Sequence, residues 1–124
     1  MRDEWLLLER VAGLLFKGED IPDDKRSDFY LMQECLKIVE RAEERHGFRL
    51  NDRQTLFCLL YPYVNYNALK SYLLAYQTTY KNANRNAHKV SNNPKVKLIL
   101  KEINAFVFCC KVNGWEKTRE AYDL

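Results

Sequence analysis

Hydrophobic residues recur along this chain with the 3.6-residue period of amphipathic α-helices, and alternation typical of β-strands is weak. The periodic segments predict helices over about 3–17, 24–46, 52–61, 68–76, 79–91, 95–112 and 115–122. No segment carries the period-2 pattern of a half-buried strand. We therefore expect an all-α fold made of two longer N-terminal helices followed by shorter ones.

Capping and breaking residues stand at the ends of these segments. Gly47 and Gly114 follow periodic runs and are predicted to stop helices. Pro94 stands where it can open the helix over 95–112, whereas Pro62 is expected to disturb the end of the helix before it. The predicted N-caps are Asn51 or Asp52, Asn65 or Asn67, and Thr78 or Thr79.

Apolar side chains near the C-terminus allow two interpretations. Phe106, Phe108 and Trp115 are each interpreted as core residues, although residues 105–115 are also candidates for contacts between subunits. The long amphipathic helix over 24–46 poses the same choice, because its apolar stripe can pack within the domain or on a neighbouring copy.

Length and composition indicate a small folded protein. The 124 residues, 47% hydrophobic and 13% aromatic, are enough for one domain or for one domain with an accessory helical arm. The longest apolar run, residues 105–110, is far shorter than the roughly 18 residues of a membrane span. The N-terminal residues are acidic and polar, so we expect no signal peptide, no membrane contact and a cytoplasmic location.

Chemistry-bearing motifs are missing from the sequence. Cys35, Cys58, Cys109 and Cys110 form no Cys-x-x-Cys pair and lie far in sequence from both histidines, so we expect buried thiols and no zinc site. There is no Gly-x-x-x-x-Gly-Lys-(Ser/Thr) phosphate loop, no carboxylate cluster for two metals, and no nucleophile with a nearby histidine. We expect neither catalysis nor a cofactor.

Charge is distributed unevenly along the chain. Residues 1–51 hold nine Lys and Arg against twelve Asp and Glu, a net charge of −3, whereas residues 52–124 hold eleven against five, a net charge of +6. From Arg53 to Lys101 there are eight basic residues and no acidic one. Solvated helix faces normally mix both signs, so the stretch indicates a polyanionic partner.

The segment 79–91 concentrates the side chains that recognise nucleic acid. Tyr80, Ala83, Ala87 and Val90 share one narrow face that can pack on the preceding helix, two or three residues away. Asn and Arg read adenine and guanine edges in the major groove, and Lys and Arg neutralise phosphates. A helix-turn-helix is predicted. The expected DNA-contacting residues are Lys81, Asn82, Arg85, Asn86, His88 and Lys89, with Asn84 beside them and Arg53, Lys70, Lys95 and Lys97 holding the phosphate backbone.

The same region resembles the N-terminal DNA-binding domain of phage terminase small subunits. The resemblance covers residues 50–103 and rests on Leu50, Arg53, Gln54, Phe57, Tyr61, Asn67-Ala68, Ala75-Tyr76, Ala83, Ala87 and, most specifically, Asn93-Pro94-Lys95-Val96. The chain differs from the family pattern in having Ala75 where a glycine is usual and in placing some 48 residues before the DNA-binding domain.

The resemblance implies a role in viral genome packaging. Terminase small subunits form rings, bind the packaging-initiation site on double-stranded DNA, and present it to a large subunit that holds the ATPase and nuclease. We expect a helical arm over 1–48 that is a candidate for oligomerisation, a helix-turn-helix domain over 49–93 and a C-terminal helical segment over 94–124 for packing or oligomerisation. A small helix-turn-helix transcriptional regulator and a phage-encoded helical protein-interaction module remain the alternatives.

Overall fold

A computed structural model describes residues 26–124 together with Glu9, Arg10 and Gly13, and the elements within 26–124 are helices joined by short turns. The α-helices are α1 (Arg26–His46), α2 (Asp52–Leu60), α3 (Ala68–Tyr76), α4 (Tyr80–Ser91), α5 (Pro94–Asn113) and α6 (Trp115–Ala121), with a 3₁₀ helix (Tyr61–Val64) between α2 and α3. Residues 26–124 contain no strand, so the predicted all-α class is confirmed. Most of the helix predicted over 3–17 lies outside the described residues.

Side-chain caps begin the short helices at the positions that the sequence indicates. Asn51 caps α2 through a reciprocal pair of hydrogen bonds with Gln54, a capping box. Asn67 caps α3 and Thr79 caps α4, which decides between the neighbouring candidates in each case. Because such caps satisfy amide groups that the first turn leaves unpaired, helices as short as nine residues are well defined at their starts.

Glycine and proline residues stand at the ends of the helices. Gly47 follows α1 with φ +75° and Gly114 follows α5 with φ +88°, conformations that favour glycine. Pro62 stands at the start of the 3₁₀ helix, where its missing amide hydrogen costs nothing, so it ends α2 rather than kinking it. Asn65 then turns the chain into α3 in the left-handed conformation, with φ +54°.

One hydrophobic core joins helices from all parts of the described chain. Met32 of α1, Phe57 of α2, and Ile103 and Phe106 of α5 are all fully buried in it. α1 packs against α5, while α2 packs against both α3 and α5. The described part of the predicted 1–48 segment therefore belongs to the same core as the two segments after it.

The C-terminal helix returns to α1. The Arg41 guanidinium donates hydrogen bonds to the backbone carbonyls of Tyr122 and Asp123, the latter at 2.8 Å. The Tyr122 ring meets the buried Phe106 ring edge-on, with 5.0 Å between ring centroids. These contacts close the C-terminal end of the domain over α1.

The interpretation of three aromatic residues as core holds only in part. Phe106 is buried and Trp115 is half-buried against the core. Phe108, however, is 66% exposed, so its interpretation as a core residue is wrong. The physical reason is helical phase: Phe108 lies two residues from Phe106, about 200° around α5, on the side away from the core.

No helix within residues 26–124 is long and apolar enough to cross a lipid bilayer.

Candidate nucleic-acid interface

The α2 helix holds α3 at two points, and α3 in turn carries α4. The buried Ser71 hydroxyl donates a hydrogen bond of 2.6 Å to the Phe57 carbonyl oxygen. Near the other end of α3, the Arg53 guanidinium donates to the Ala75 carbonyl oxygen at 3.1 Å and lies 6.0 Å from the Tyr76 ring centroid. A cation beside the last carbonyls of a helix is also favourable for the helix dipole. The predicted site therefore rests on α2 and α3, which these contacts hold together.

A three-residue turn, residues 77–79, connects α3 to α4. Gln77 adopts the left-handed conformation with φ +49°, and its amide donates to the Leu73 carbonyl oxygen at 3.0 Å. The Thr79 hydroxyl oxygen then accepts from the Asn82 amide at 3.3 Å, which starts α4. A pair of helices joined by so short a turn, with the second packed on the first, has the layout of a helix-turn-helix.

The inner face of α4 is narrow, as its small side chains predict. Ala83 is completely buried and Ala87 is 3% exposed, and Val90 is half-buried beside them. Tyr80 was expected on this face, but its ring is 64% exposed and the expectation is wrong. Tyr80 is the first residue of α4, at the end of the helix and one turn before the buried Ala83.

The outer face of α4 presents three cations in one row. Lys81, Arg85 and Lys89 are four residues apart, so they lie one above the other along the helix, and all three are exposed. None of them forms an ion pair with a described residue. Within the described part of the chain, no acidic group compensates the positive charge of this row.

The asparagines of α4 differ in their local bonding. The Asn82 side-chain amide donates to the Thr78 hydroxyl at 3.1 Å, and the Asn86 side-chain amide donates to the Asn82 backbone carbonyl at 3.0 Å. Asn86 is half-buried, on the flank of the outer face. Asn84 is exposed on the other flank, with no hydrogen bond to a described residue, and His88 lies four residues along the same side.

The remaining predicted contact residues are exposed but spread over three helices. Arg53 lies on α2, Lys70 on α3, and Lys95 and Lys97 on the first turn of α5. The Arg53 side chain already binds the end of α3, and the Lys95 ammonium lies 5.8 Å from the Phe48 ring centroid. Lys70 and Lys97 have no ion-pair partner among the described residues.

A cleft of about 390 Å³ opens beside the turn between α3 and α4, and its lining is basic. Arg53, Leu56, Ala75 and Gln77 line it, together with Arg10 and Gly13 of the N-terminal segment. The two arginines give the described part of the lining a positive charge that suits an anion.

The thiols divide into two pairs. Cys35 and Cys58 are buried, as predicted, and burial raises the pKa of Cys35 from its usual value near 9 to about 12 and raises the pKa of Cys58 further. Cys109 and Cys110 are only half-buried, so the prediction of buried thiols is wrong for these two. Within the described ranges, no three histidine, cysteine or acidic side chains come together as metal ligands.

The fold and the exposed cations define a small all-α protein with a basic helix-turn-helix layout. Comparison with family models, with curated proteins and with solved structures finds no match to this chain.

Proposed function

We propose that this protein binds double-stranded DNA through α4, without catalysing a reaction. The observation that carries the proposal is the row of Lys81, Arg85 and Lys89, which is exposed and unpaired with any described acidic group. DNA presents closely spaced phosphates, and each phosphate that a cation neutralises releases a condensed counterion, which favours binding. The absence of acidic residues between Arg53 and Lys101 removes the repulsion that a mixed surface would have.

The geometry of α4 fits the major groove. Its inner face is made of small residues that bring it close to α3, while its outer face combines the cations with Asn84 and His88. An α-helix of this kind enters the groove with its first residues near the base edges. Lys70, Lys95 and Lys97 extend the positive surface to the neighbouring helices, where phosphates on either side of the groove would lie.

The biological role that we propose is recognition of a viral DNA-packaging site. The support is the resemblance of residues 50–103 to the DNA-binding domain of terminase small subunits, above all at Asn93-Pro94-Lys95-Val96. In this role the chain would bind the packaging-initiation site and present it to the large subunit that carries the ATPase and nuclease.

A small helix-turn-helix transcriptional regulator is the second candidate, and one observation favours it. The outer face of α5 exposes Phe108 at 66% and Val112 at 62%, an apolar surface suited to pairing of two copies. Regulators of this type bind as dimers to two half-sites.

The test of DNA binding is a double substitution on α4. Arg85→Ala with Lys89→Ala should weaken retention of a random-sequence duplex severalfold in a gel-shift titration. Because two phosphate contacts are lost, the slope of log K against log salt should become shallower by roughly 1.8. Circular dichroism should show unchanged helical content, since both side chains are exposed.

A matched control separates local contact from net charge. Arg49→Ala with Lys117→Ala removes two exposed cations outside α4 and changes the net charge equally. Its binding should stay close to that of the unmodified protein. If both double variants weaken DNA binding equally, the binding reflects non-specific attraction to the positive charge and not a contact made by α4. Binding of an acidic protein in place of plain duplex would instead identify the chain as a protein-interaction module.

A further inference from the structure

Five exposed residues follow one another along the outer face of α5 at alternating spacings of three and four. They are Leu98, Lys101, Ala105, Phe108 and Val112, and we call them the α5 seam. The residues of α5 that enter the core, such as Val96, Ile99 and Ile103, lie on the opposite side of the helix. The seam is therefore not the edge of the domain core but a second, separate face.

The seam is open to solvent along its whole length. Leu98 is 40% exposed, Phe108 66% and Val112 62%. Polar contacts border it on both sides: Arg45 of α1 pairs with Glu102 at 3.2 Å on one side, and the Lys111 ammonium lies 5.9 Å from the Tyr66 ring centroid on the other. An apolar strip with a polar border is the layout of an interface rather than of an ordinary surface.

A repeat of 3.5 residues is the spacing that keeps a row of side chains facing another helix over several turns. Leucine, phenylalanine and valine exposed at this spacing, on a face apart from the core, are suited to packing against a second helix. The partner should therefore present a helix with matching side chains.

We propose that the partner is a second copy of this chain, whose α5 crosses the first antiparallel with the two Ala105 residues at the centre. In this register Leu98 meets the partner's Val112, and Lys101 meets the partner's Phe108. The small side chain of Ala105 lets the helices approach closely at the two-fold axis. Every contact away from this axis occurs twice, as an interface between identical copies requires.

The electrostatics of the seam favour the antiparallel register. The Lys101 ammonium comes over the ring of the partner's Phe108, where the negative face of the ring attracts a cation. In a parallel register at the same level, Lys101 would face its own copy and the two ammonium groups would repel. The seam carries no carboxylate that could relieve that repulsion.

The antiparallel pair also separates the two DNA-binding helices by a distance that suits DNA. This point rests on the proposed binding of DNA and agrees with the second candidate role, a dimeric regulator, and not with a ring of subunits. Pro94, where α5 begins directly after α4, lies eleven residues before Ala105. With a rise of about 1.5 Å per residue, the two Pro94 positions lie about 33 Å apart along the helix axes. One turn of B-DNA separates half-sites by about 34 Å. The dimer would thus place the two points where α4 meets α5 about one helical turn apart, a spacing that suits successive major grooves.

The experiment measures mass by light scattering over a dilution series. The unmodified protein should have the mass of two copies of the 14.8 kDa chain. Phe108→Lys should give a single copy, because the new ammonium faces the partner's Lys101. The control Tyr30→Lys changes an aromatic residue that is 54% exposed on α1, and it should stay a dimer. A single-copy or many-copy mass for the unmodified protein, or a dimeric Phe108→Lys variant with native helical content, overturns the proposal.

A charge exchange tests the register. The double variant Lys101→Glu with Phe108→Lys places opposite charges together in the antiparallel dimer, so the two-copy mass should return. In a parallel pair the same double variant brings like charges together and stays a single copy, which would overturn the antiparallel crossing.

Selection from a random duplex pool separates this inference from the proposed function. The unmodified protein should select two inverted half-sites with centres about one helical turn apart, and Phe108→Lys should select one. A dimer that binds no DNA would support the α5 interface and contradict the proposed function. A monomer that binds DNA would contradict the α5 interface and support the proposed function.

Discussion

The three exposed or half-exposed asparagines of α4 differ in the amide groups they can offer to a base. Bidentate reading of adenine needs both the side-chain oxygen and the side-chain nitrogen of an asparagine. Asn82 would have to give up its hydrogen bond to Thr78, and Asn86 its hydrogen bond to the backbone of Asn82. Asn84 gives up no described hydrogen bond. We therefore expect base recognition to centre on Asn84.

Asn84→Ala should remove sequence preference at one base pair and leave binding to random duplex nearly unchanged. The loss should correspond to about 1–3 kcal/mol of discrimination, the value of one good bidentate contact. The measurement is the motif selected from a random duplex pool, with Asn82→Ala as the matched control. If Asn82→Ala loses the preference and Asn84→Ala keeps it, base recognition by Asn84 is wrong.

A single capping residue has a large effect on where a helix begins, because the helices that build the site are short. The Asn93 side chain accepts hydrogen bonds from the amides of Lys95 at 2.9 Å and Val96 at 3.3 Å. It therefore fixes the start of α5 directly behind α4, and with it the positions of Lys95 and Lys97.

Asn93→Ala should lower the free energy of unfolding by about 1 kcal/mol, since two amides of the first turn lose their acceptor. Urea unfolding followed by circular dichroism measures the change. Asn92→Ala is the matched control, because the neighbouring asparagine is exposed and its side chain has no described hydrogen bond. Equal losses in the two variants would contradict the capping role.

The whole molecule is closed by contacts between residues far apart in sequence. Tyr122 joins the C-terminal end to the core through Phe106, and its carbonyl accepts from Arg41, which lies 81 residues earlier. The C-terminal segment is thus part of the domain and not a free tail.

Tyr122→Ala should destabilise the protein by roughly 1–2 kcal/mol, since an aromatic pair contributes about 0.5–1.5 kcal/mol beyond the buried area and the ring also buries apolar area of its own. Thermal or urea unfolding measures it. Tyr80→Ala removes the same ring from a position that is 64% exposed and should leave stability within experimental error. A Tyr122 variant as stable as the Tyr80 variant would show that the C-terminal contacts do not hold the domain together.

Helix ends were predictable because they depend on local chemistry. Asn51 and Thr79 accept hydrogen bonds from amides three residues away, and Pro94 starts a helix through its own fixed φ angle and missing amide hydrogen, so their effect is visible in the sequence. The small inner face of α4 was predictable for the same reason, since Ala83 and Ala87 repeat with the helical period.

The sequence by itself determined the all-helical class, the positions of the described helices and the acid-free run from Arg53 to Lys101, because each depends on neighbours along the chain. Only the tertiary structure decided which apolar residues are buried, since burial depends on which faces of distant helices meet. That is why Phe108 and Tyr80 stand outside the core. It also decided which side chains are already engaged, as Arg53 is with the end of α3, because that carbonyl lies 22 residues away.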